Sequence, residues 1–181
     1  MILLVIVVAV GLAVNGNSGS GTKVAVSPPS SSGTTAPVTP TTVALASVKG
    51  KPCVGLKDPL PKGAPAMLLR AGPAPTKLST QDLKVGTGAV VPKNAKVTVN
   101  YVGVACSTGK IFASSYSRNQ TFDADLGGGI IPGWQQGIPG MRIGGVRLLA
   151  IPSDLAYGPN GQAPIAPDEA LYFLVAAVKL G

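Results

Sequence analysis

The sequence predicts an α+β domain, in which an antiparallel sheet packs against one short helix, preceded by a disordered tail. Residues 96–104 (KVTVNYVGV) alternate along the chain with the period of two that is typical of a β-strand. The only tryptophan, Trp134, lies between two Pro-Gly pairs in residues 130–145 (IIPGWQQGIPGMRIGG), which leave room for only a short helix. A short helix on an antiparallel sheet is a stable layer arrangement, because each element buries its apolar face against the other.

Turn sequences divide the compact part of the chain, residues 76–181, into strands and this helix. The sequence PKN precedes the strand at 96–104, and STGK after it forms a tight connection to the next strand. We predict that the helix begins at Pro132 or Gly133 and ends near Ile138. Further strands are predicted at residues 78–84, 111–115, 121–126, 146–151 and 171–180.

Three segments precede the compact part. Residues 1–14 (MILLVIVVAVGLAV) are apolar but shorter than the ~20 residues of a membrane-spanning helix, which favours a signal or anchor segment over a buried core element. Because no Lys or Arg precedes this run and no A-x-A-like site follows it, cleavage, retention as an anchor and a start further upstream remain alternatives. Residues 15–52 are rich in Ser, Thr, Gly and Pro without periodicity, as in flexible linkers. Residues 53–75 form a Pro-rich extension with apolar pieces that can lie against the domain.

The chain contains few ionisable residues of the kinds that enzymes commonly use. It has no histidine, two cysteines and seven carboxylates, with a net charge of +8. A His-based triad, a His-rich zinc site and a four-cysteine zinc site are therefore excluded, and we predict no metal and no cofactor. Most of the excess positive charge precedes residue 76 and has no interleaved aromatic residues, so we expect an anionic envelope or polymer near it and no nucleic acid.

The two cysteines form one candidate disulfide. Cys53 lies in the Pro-rich extension and Cys106 lies in the domain, so a bridge between them would join the end of the linker to the domain. We expect this bridge if the protein is exported, because disulfides persist in oxidising compartments. Two unpaired thiols are the alternative.

Five segments, in this order and at this spacing, carry a resemblance to a known family. They are VTVNYVG (97–103), TGKIFASS (108–115), IIPGWQQGIPGMRIGG (130–145), VRLLAIPSDLAYG (146–158) and LYFLVAAVKL (171–180). Over residues 76–181 the chain resembles the FKBP-type peptidyl-prolyl cis-trans isomerases. The resemblance implies a strongly curved antiparallel sheet wrapped around the short helix, and an enzyme that accelerates rotation about X–Pro bonds.

The resemblance also implies an apolar pocket that uses most of the aromatic residues. Trp134 would form its floor, Tyr157 would point its hydroxyl into it, and Phe112 would complete the predicted catalytic group. The predicted substrate-binding walls are Tyr101, Phe122, Ile130, Ile131 and Phe173. Ile165, also predicted to bind substrate, lies in the loop between Gly158 and Asp168 that would overhang the entrance. The Tyr157 hydroxyl and a backbone N–H near Ile131 would orient the peptide carbonyls. From the residues alone, an ordinary core position for Trp134 and a structural role for Tyr157 in the turn at 154–158 remain alternatives.

Rotation about an X–Pro bond suits a chain with so few ionisable groups. The rotation breaks amide resonance, with a barrier of ~18–20 kcal/mol, but it breaks no covalent bond and need not move a proton. An apolar pocket disfavours the dipolar planar amide relative to the twisted form. Each ~1.4 kcal/mol of that preference increases the rate about tenfold.

One position departs from the pattern of the family. Ala113 stands where the family commonly has an aspartate at the pocket edge, which is thought to pair with an arginine at the position of Arg118. We therefore expect Arg118 to be unpaired or to turn to Asp123 or Asp125. We expect loss of this acid to change the rate and the orientation of the substrate but not to abolish rotation, which needs no proton donor.

We accordingly predict an isomerase that acts on unfolded or partly folded Pro-containing polypeptides. We expect an exported monomer in the cell envelope or outside the cell, with membrane association through residues 1–14. The alternative is a non-catalytic proline-peptide-binding or chaperone module with the same fold, which Ala113 favours. A third hypothesis is a structural protein in which the domain is a spacer on a Pro/Ser/Thr-rich tether. Only the low-complexity segment before the domain supports it.

Overall fold

Six antiparallel strands form one sheet in residues 45–181, the part of the chain that this computed structural model describes. The strands are β1 (Ser79–Lys84), β2 (Lys96–Ala105), β3 (Ile111–Ser114), β4 (Phe122–Asp125), β5 (Val146–Ile151) and β6 (Leu171–Leu180), and the helix α1 spans Pro132–Gly137. The order across the sheet is β1-β5-β6-β2-β3, and β4 pairs with the first half of β2. The predicted fold class is confirmed, and each predicted strand or helix limit lies within one residue of the observed one.

The segment predicted at residues 1–14 and most of the linker predicted at 15–52 lie outside the described residues. Within residues 45–181, no helix has both the length and the apolar character needed to cross a membrane. The division of the chain into four segments stays a prediction.

Alternation along β2 gives the sheet two buried faces. Val97 and Val99 are fully buried in the cluster that contains α1. Val102 and Val104 are equally buried, but they belong to a second cluster together with Leu174 of β6. Because successive side chains of a strand point to opposite faces, both faces of this sheet are covered.

The Pro-rich extension covers the face opposite α1. Met67 and Leu69 are 8% and 7% exposed and pack in the second cluster, whereas Leu68 between them is 73% exposed. This alternation shows that residues 66–70 lie extended, with one side against the sheet. The extension therefore supplies a second apolar layer to the sheet.

A disulfide and backbone hydrogen bonds fix the start of the extension. Cys53 is bonded to Cys106, which directly follows β2, and the two Cα atoms are 4.4 Å apart. The N–H of Val54 donates to the Cys106 carbonyl over 2.9 Å. Further along, the Asp58 carboxylate accepts the N–H of Ile111 at the start of β3 over 2.7 Å. The extension is thus joined to the end of β2 and the start of β3.

The helix α1 begins where the backbone leaves an extended conformation. Ile131 caps the helix with φ −60° and ψ 142°, and Pro132 occupies the first helical position, where its missing N–H costs nothing. Gly133 faces β5: an added Cβ would overlap Ile151, at 2.7 Å from Cδ1 and 3.0 Å from Cγ1. Glycine at this position lets the helix approach the sheet closely, and this approach sets the depth at which Trp134 is held.

Candidate active site

A cavity of about 540 Å³ opens between α1 and the sheet face that α1 covers. It is lined by Tyr101, Phe112, Ala113, Phe122, Gly129, Ile130, Ile131, Pro132, Trp134, Ala156, Tyr157, Gln162 and Phe173. Of the residues predicted for the site, the structure brings all except Ile165 to this lining. None of the lining side chains is charged.

Trp134 lies at the centre of an aromatic cluster. Its ring centroid is 5.4 Å from that of Tyr101, 5.9 Å from that of Phe122 and 5.2 Å from that of Phe173, in edge-to-face geometry. The residue is 4% exposed, and its Nε1–H has no hydrogen-bond partner among the described residues. Ring contacts, which aromatic pairs favour in this geometry, therefore hold the indole in place without a hydrogen bond.

A glycine in β2 makes room for two of these rings. An added Cβ at Gly103 would lie 2.7 Å from Phe112 Cζ and 2.8 Å from Phe173 Cε1. The two phenylalanine rings instead meet edge to face, with centroids 5.6 Å apart. The missing side chain thus shapes the cavity wall, a role that the alternation of β2 did not indicate.

Ile165 is the predicted site residue that the structure places elsewhere. It is 4% exposed and packs in the same core cluster as Trp134. Two backbone hydrogen bonds with Gln162, of 2.7 and 3.0 Å, form a tight turn, and Gln162 lines the cavity while Ile165 is buried. The resemblance implied a position over the pocket entrance, whereas the side chain is buried in the core. Ala156 is a further lining residue that the sequence did not indicate.

The cavity has polar groups without a hydrogen-bond partner among the described residues, and the Tyr157 hydroxyl and the Ile131 N–H are two of them. The Tyr157 hydroxyl makes no hydrogen bond within the described residues, so the turn that follows β5 does not engage it. Burial raises the pKa of Tyr157 above its usual value of 10.0, and the neighbouring Tyr101 adds to this effect. The hydroxyl therefore keeps its proton at neutral pH and remains a donor. The Ile131 N–H also has no backbone partner in this part of the chain.

Arg118 pairs with neither Asp123 nor Asp125, the two carboxylates considered for it in the sequence analysis. Its Nη2 donates to the Tyr101 hydroxyl over 2.9 Å, and its guanidinium carbon lies 5.9 Å from the centroid of that ring. Asp123 instead accepts the Thr98 hydroxyl over 2.6 Å, and Asp125 accepts the Gly127 N–H over 2.9 Å. Both acids are thus engaged by other donors.

The curved sheet, the short helix α1 and the aromatic floor define a small α+β domain with an apolar pocket of about 540 Å³. A sequence model of the FKBP-type peptidyl-prolyl cis-trans isomerases matches residues 88–178. The chain belongs to this family. The predicted family, isomerase activity and enzyme class are confirmed, and the protein acts on proline-containing peptides.

Individual relatives agree with this assignment. A probable FK506-binding protein of Corynebacterium glutamicum is 45% identical over 111 residues, which cover 61% of this chain and 93% of that protein. An FK506-binding protein of Streptomyces anulatus is 44% identical over 106 residues, covering 57% and 86%. Among solved structures, the crystal structure of AtFKBP13 has a TM-score of 0.54 and 35% identity, covering 60% of this chain and 96% of that one.

Within residues 45–181, no group of three or more His, Cys, Asp and Glu side chains is placed to hold a metal ion. The expectation that the enzyme works without a cofactor stays a prediction.

Proposed function

We propose that the cavity beside α1 is the active site, in which an X–Pro bond rotates with Trp134 as the floor beneath the proline ring. The observation that carries this proposal is a lining of apolar and aromatic side chains with no charge among them. An apolar wall of this kind solvates the planar, dipolar amide poorly. It therefore favours the twisted amide, whose charge separation is smaller.

Two donors orient the substrate in this mechanism. The Tyr157 hydroxyl and the Ile131 N–H bind the peptide carbonyls on either side of the rotating bond, and the apolar walls, including Phe112, hold the proline ring. No proton is transferred, because rotation leaves every covalent bond in place. The contribution of the donors is orientation, which lowers the barrier by holding the peptide near the twisted geometry.

Replacing Tyr157 by phenylalanine tests this arrangement. We expect Tyr157→Phe to lower kcat/KM for an X–Pro peptide by roughly 3- to 10-fold, since a net hydrogen bond contributes about 0.5–1.5 kcal/mol. Two-dimensional NMR exchange, with enzyme in catalytic amount, measures the cis/trans rate directly.

Tyr172→Phe is the matched control, because Tyr172 is also partly buried but donates to Cys53 Sγ outside the cavity. An equal loss in both variants would contradict the assignment of Tyr157. If the unmodified protein bound the peptide without accelerating exchange, it would instead be a proline-peptide-binding module.

We further propose that the clients are unfolded or partly folded exported polypeptides, and that the enzyme is a monomer held at or outside the cell envelope by residues 1–14. The bond between Cys53 and Cys106 supports this location, because disulfides persist mainly in oxidising compartments. The basic segments before residue 76 suit an anionic envelope. Prolyl isomerisation takes roughly 10–100 s without a catalyst, so it can limit the folding of such clients.

The redox state of the two cysteines in living cells tests this location. Cells are treated with a thiol reagent before lysis, and the protein is then unfolded while the reagent is still present. If the protein is exported, the reagent should label neither cysteine. Labelling after reduction serves as the positive control. Labelling of both cysteines without reduction would place the protein in a reducing compartment and contradict export.

A further inference from the structure

Arg118 is the cation that contacts the wall of an otherwise uncharged cavity. It lies in the 3-10 turn Tyr116–Arg118 after β3, and its side chain is exposed. The hydrogen bond to the Tyr101 hydroxyl fixes one end of the guanidinium against a residue that lines the cavity. A guanidinium has five N–H donors, so most of its donors face outward from this contact.

No carboxylate neutralises this guanidinium in the described part of the chain. The single ion pair within residues 45–181 joins Arg147 to Asp82, and neither residue lines the cavity. Asp123 and Asp125 are engaged by other donors, as described above. Ala113, which lines the cavity, contributes no acid of its own. The positive charge at the rim is therefore available to a ligand.

The position of Tyr101 brings this charge close to the substrate backbone. The Tyr101 ring packs on Trp134 with a centroid separation of 5.4 Å. We therefore expect a residue next to a proline that stacks on Trp134 to lie against Tyr101. A carboxylate on that residue can reach the outward N–H groups of Arg118. Arginine and carboxylate form paired, charge-assisted hydrogen bonds, which a neutral amide matches only weakly.

We infer that Arg118 determines substrate specificity, favouring peptides that carry Asp or Glu directly beside the proline. This inference rests on the proposed active site. An exposed pair of this kind gives a modest preference, of about fivefold in kcat/KM at low ionic strength. The preference should decrease with added salt, which screens exposed charges.

The test compares kcat/KM, measured by NMR exchange, for peptides that differ only beside the proline. One set carries Glu, Gln or Lys before the proline, and a second set carries the same residues after it. In the unmodified enzyme we expect the Glu peptide to exceed the Gln peptide about fivefold at one of the two positions, and the Lys peptide to be the poorest. A Glu to Gln ratio of one at both positions would overturn the inference.

Two arginine variants separate a local contact from the effect of net charge. Arg118→Gln should bring the Glu to Gln ratio to about one. Arg142→Gln removes the same charge but lies outside the cavity lining, where Arg142 donates to the Gly88 carbonyl over 3.2 Å. It should keep the ratio, and an equal loss in both variants would overturn the inference in favour of steering by the whole molecule.

A third variant adds an acid to the cavity lining. Ala113→Asp should lower the Glu to Gln ratio, because the new carboxylate competes for Arg118 and repels the acidic peptide. An unchanged ratio would contradict the role of Arg118.

The Gln peptide distinguishes failure of the proposed active site from failure of the acid preference. If the unmodified enzyme does not accelerate exchange of this peptide, the proposed active site fails. If that exchange is accelerated but no acid preference is found, only the present inference fails.

Discussion

Replacing Trp134 by alanine is expected to cause the largest loss of activity, about 100-fold in kcat/KM, by removing the surface on which the proline ring packs. The same change should lower the free energy of unfolding by about 3–5 kcal/mol, since the indole is buried and surrounded by rings. NMR exchange measures the first effect and urea unfolding the second.

Two further variants show whether the activity loss is local. Leu174→Ala removes a fully buried side chain from the cluster on the other face of the sheet, so it should destabilise the fold to a similar extent. Its kcat/KM, measured where both variants are folded, should stay close to that of the unmodified enzyme. Trp134→Phe keeps an aromatic floor and should retain more activity than Trp134→Ala. Equal activity losses in Leu174→Ala and Trp134→Ala would contradict the role of Trp134 as the floor.

Removing the disulfide is expected to cost the fold about 4 kcal/mol, which is the second large effect. The bond closes a loop with a sequence separation of 53 residues, so it restricts the unfolded chain strongly. Urea unfolding of a Cys53→Ala, Cys106→Ala double variant measures the loss; both residues are almost fully buried, and the variant also removes the Cys53 Sγ that accepts the Tyr172 hydroxyl.

The activity of this double variant provides a second readout. Neither cysteine lines the cavity, so kcat/KM should be retained while the protein is folded. Unfolding of the unmodified protein under reducing conditions should reproduce the stability loss. Equal stability with and without the bond would show that the extension is held by its packing and hydrogen bonds alone.

The strands could be predicted from the sequence because alternation and turn residues act locally. The predicted strands at 146–151 and 171–180 coincide with β5 and β6. Most of the cavity lining could be predicted as well, through a resemblance whose five segments include the helix and its tryptophan. Gly103 was missed because its role is an empty volume between two rings, which depends on β3 and β6 packing across β2.

The hydrogen-bond partner of a side chain, and whether the side chain points into the core or away from it, were harder to predict. Arg118 bonds to Tyr101, while Asp123 and Asp125 bond to Thr98 and the Gly127 N–H, and spacing along the chain does not reveal which partners meet. Ile165 turns inward because of a two-bond turn with Gln162. In both cases the outcome depends on three-dimensional neighbours.

Because the extension covers the outer face of the sheet, the folding unit of this protein begins before the segment that matches the family. The family match begins at residue 88, but Met67 and Leu69 of the extension shield Val102 and Val104 from water. We expect a chain that began at residue 76 to keep the cavity beside α1 and to expose the apolar side chains of the second cluster. Such a surface would draw copies of the protein together. We therefore expect the Pro-rich extension, which covers this face of the sheet, to limit self-association.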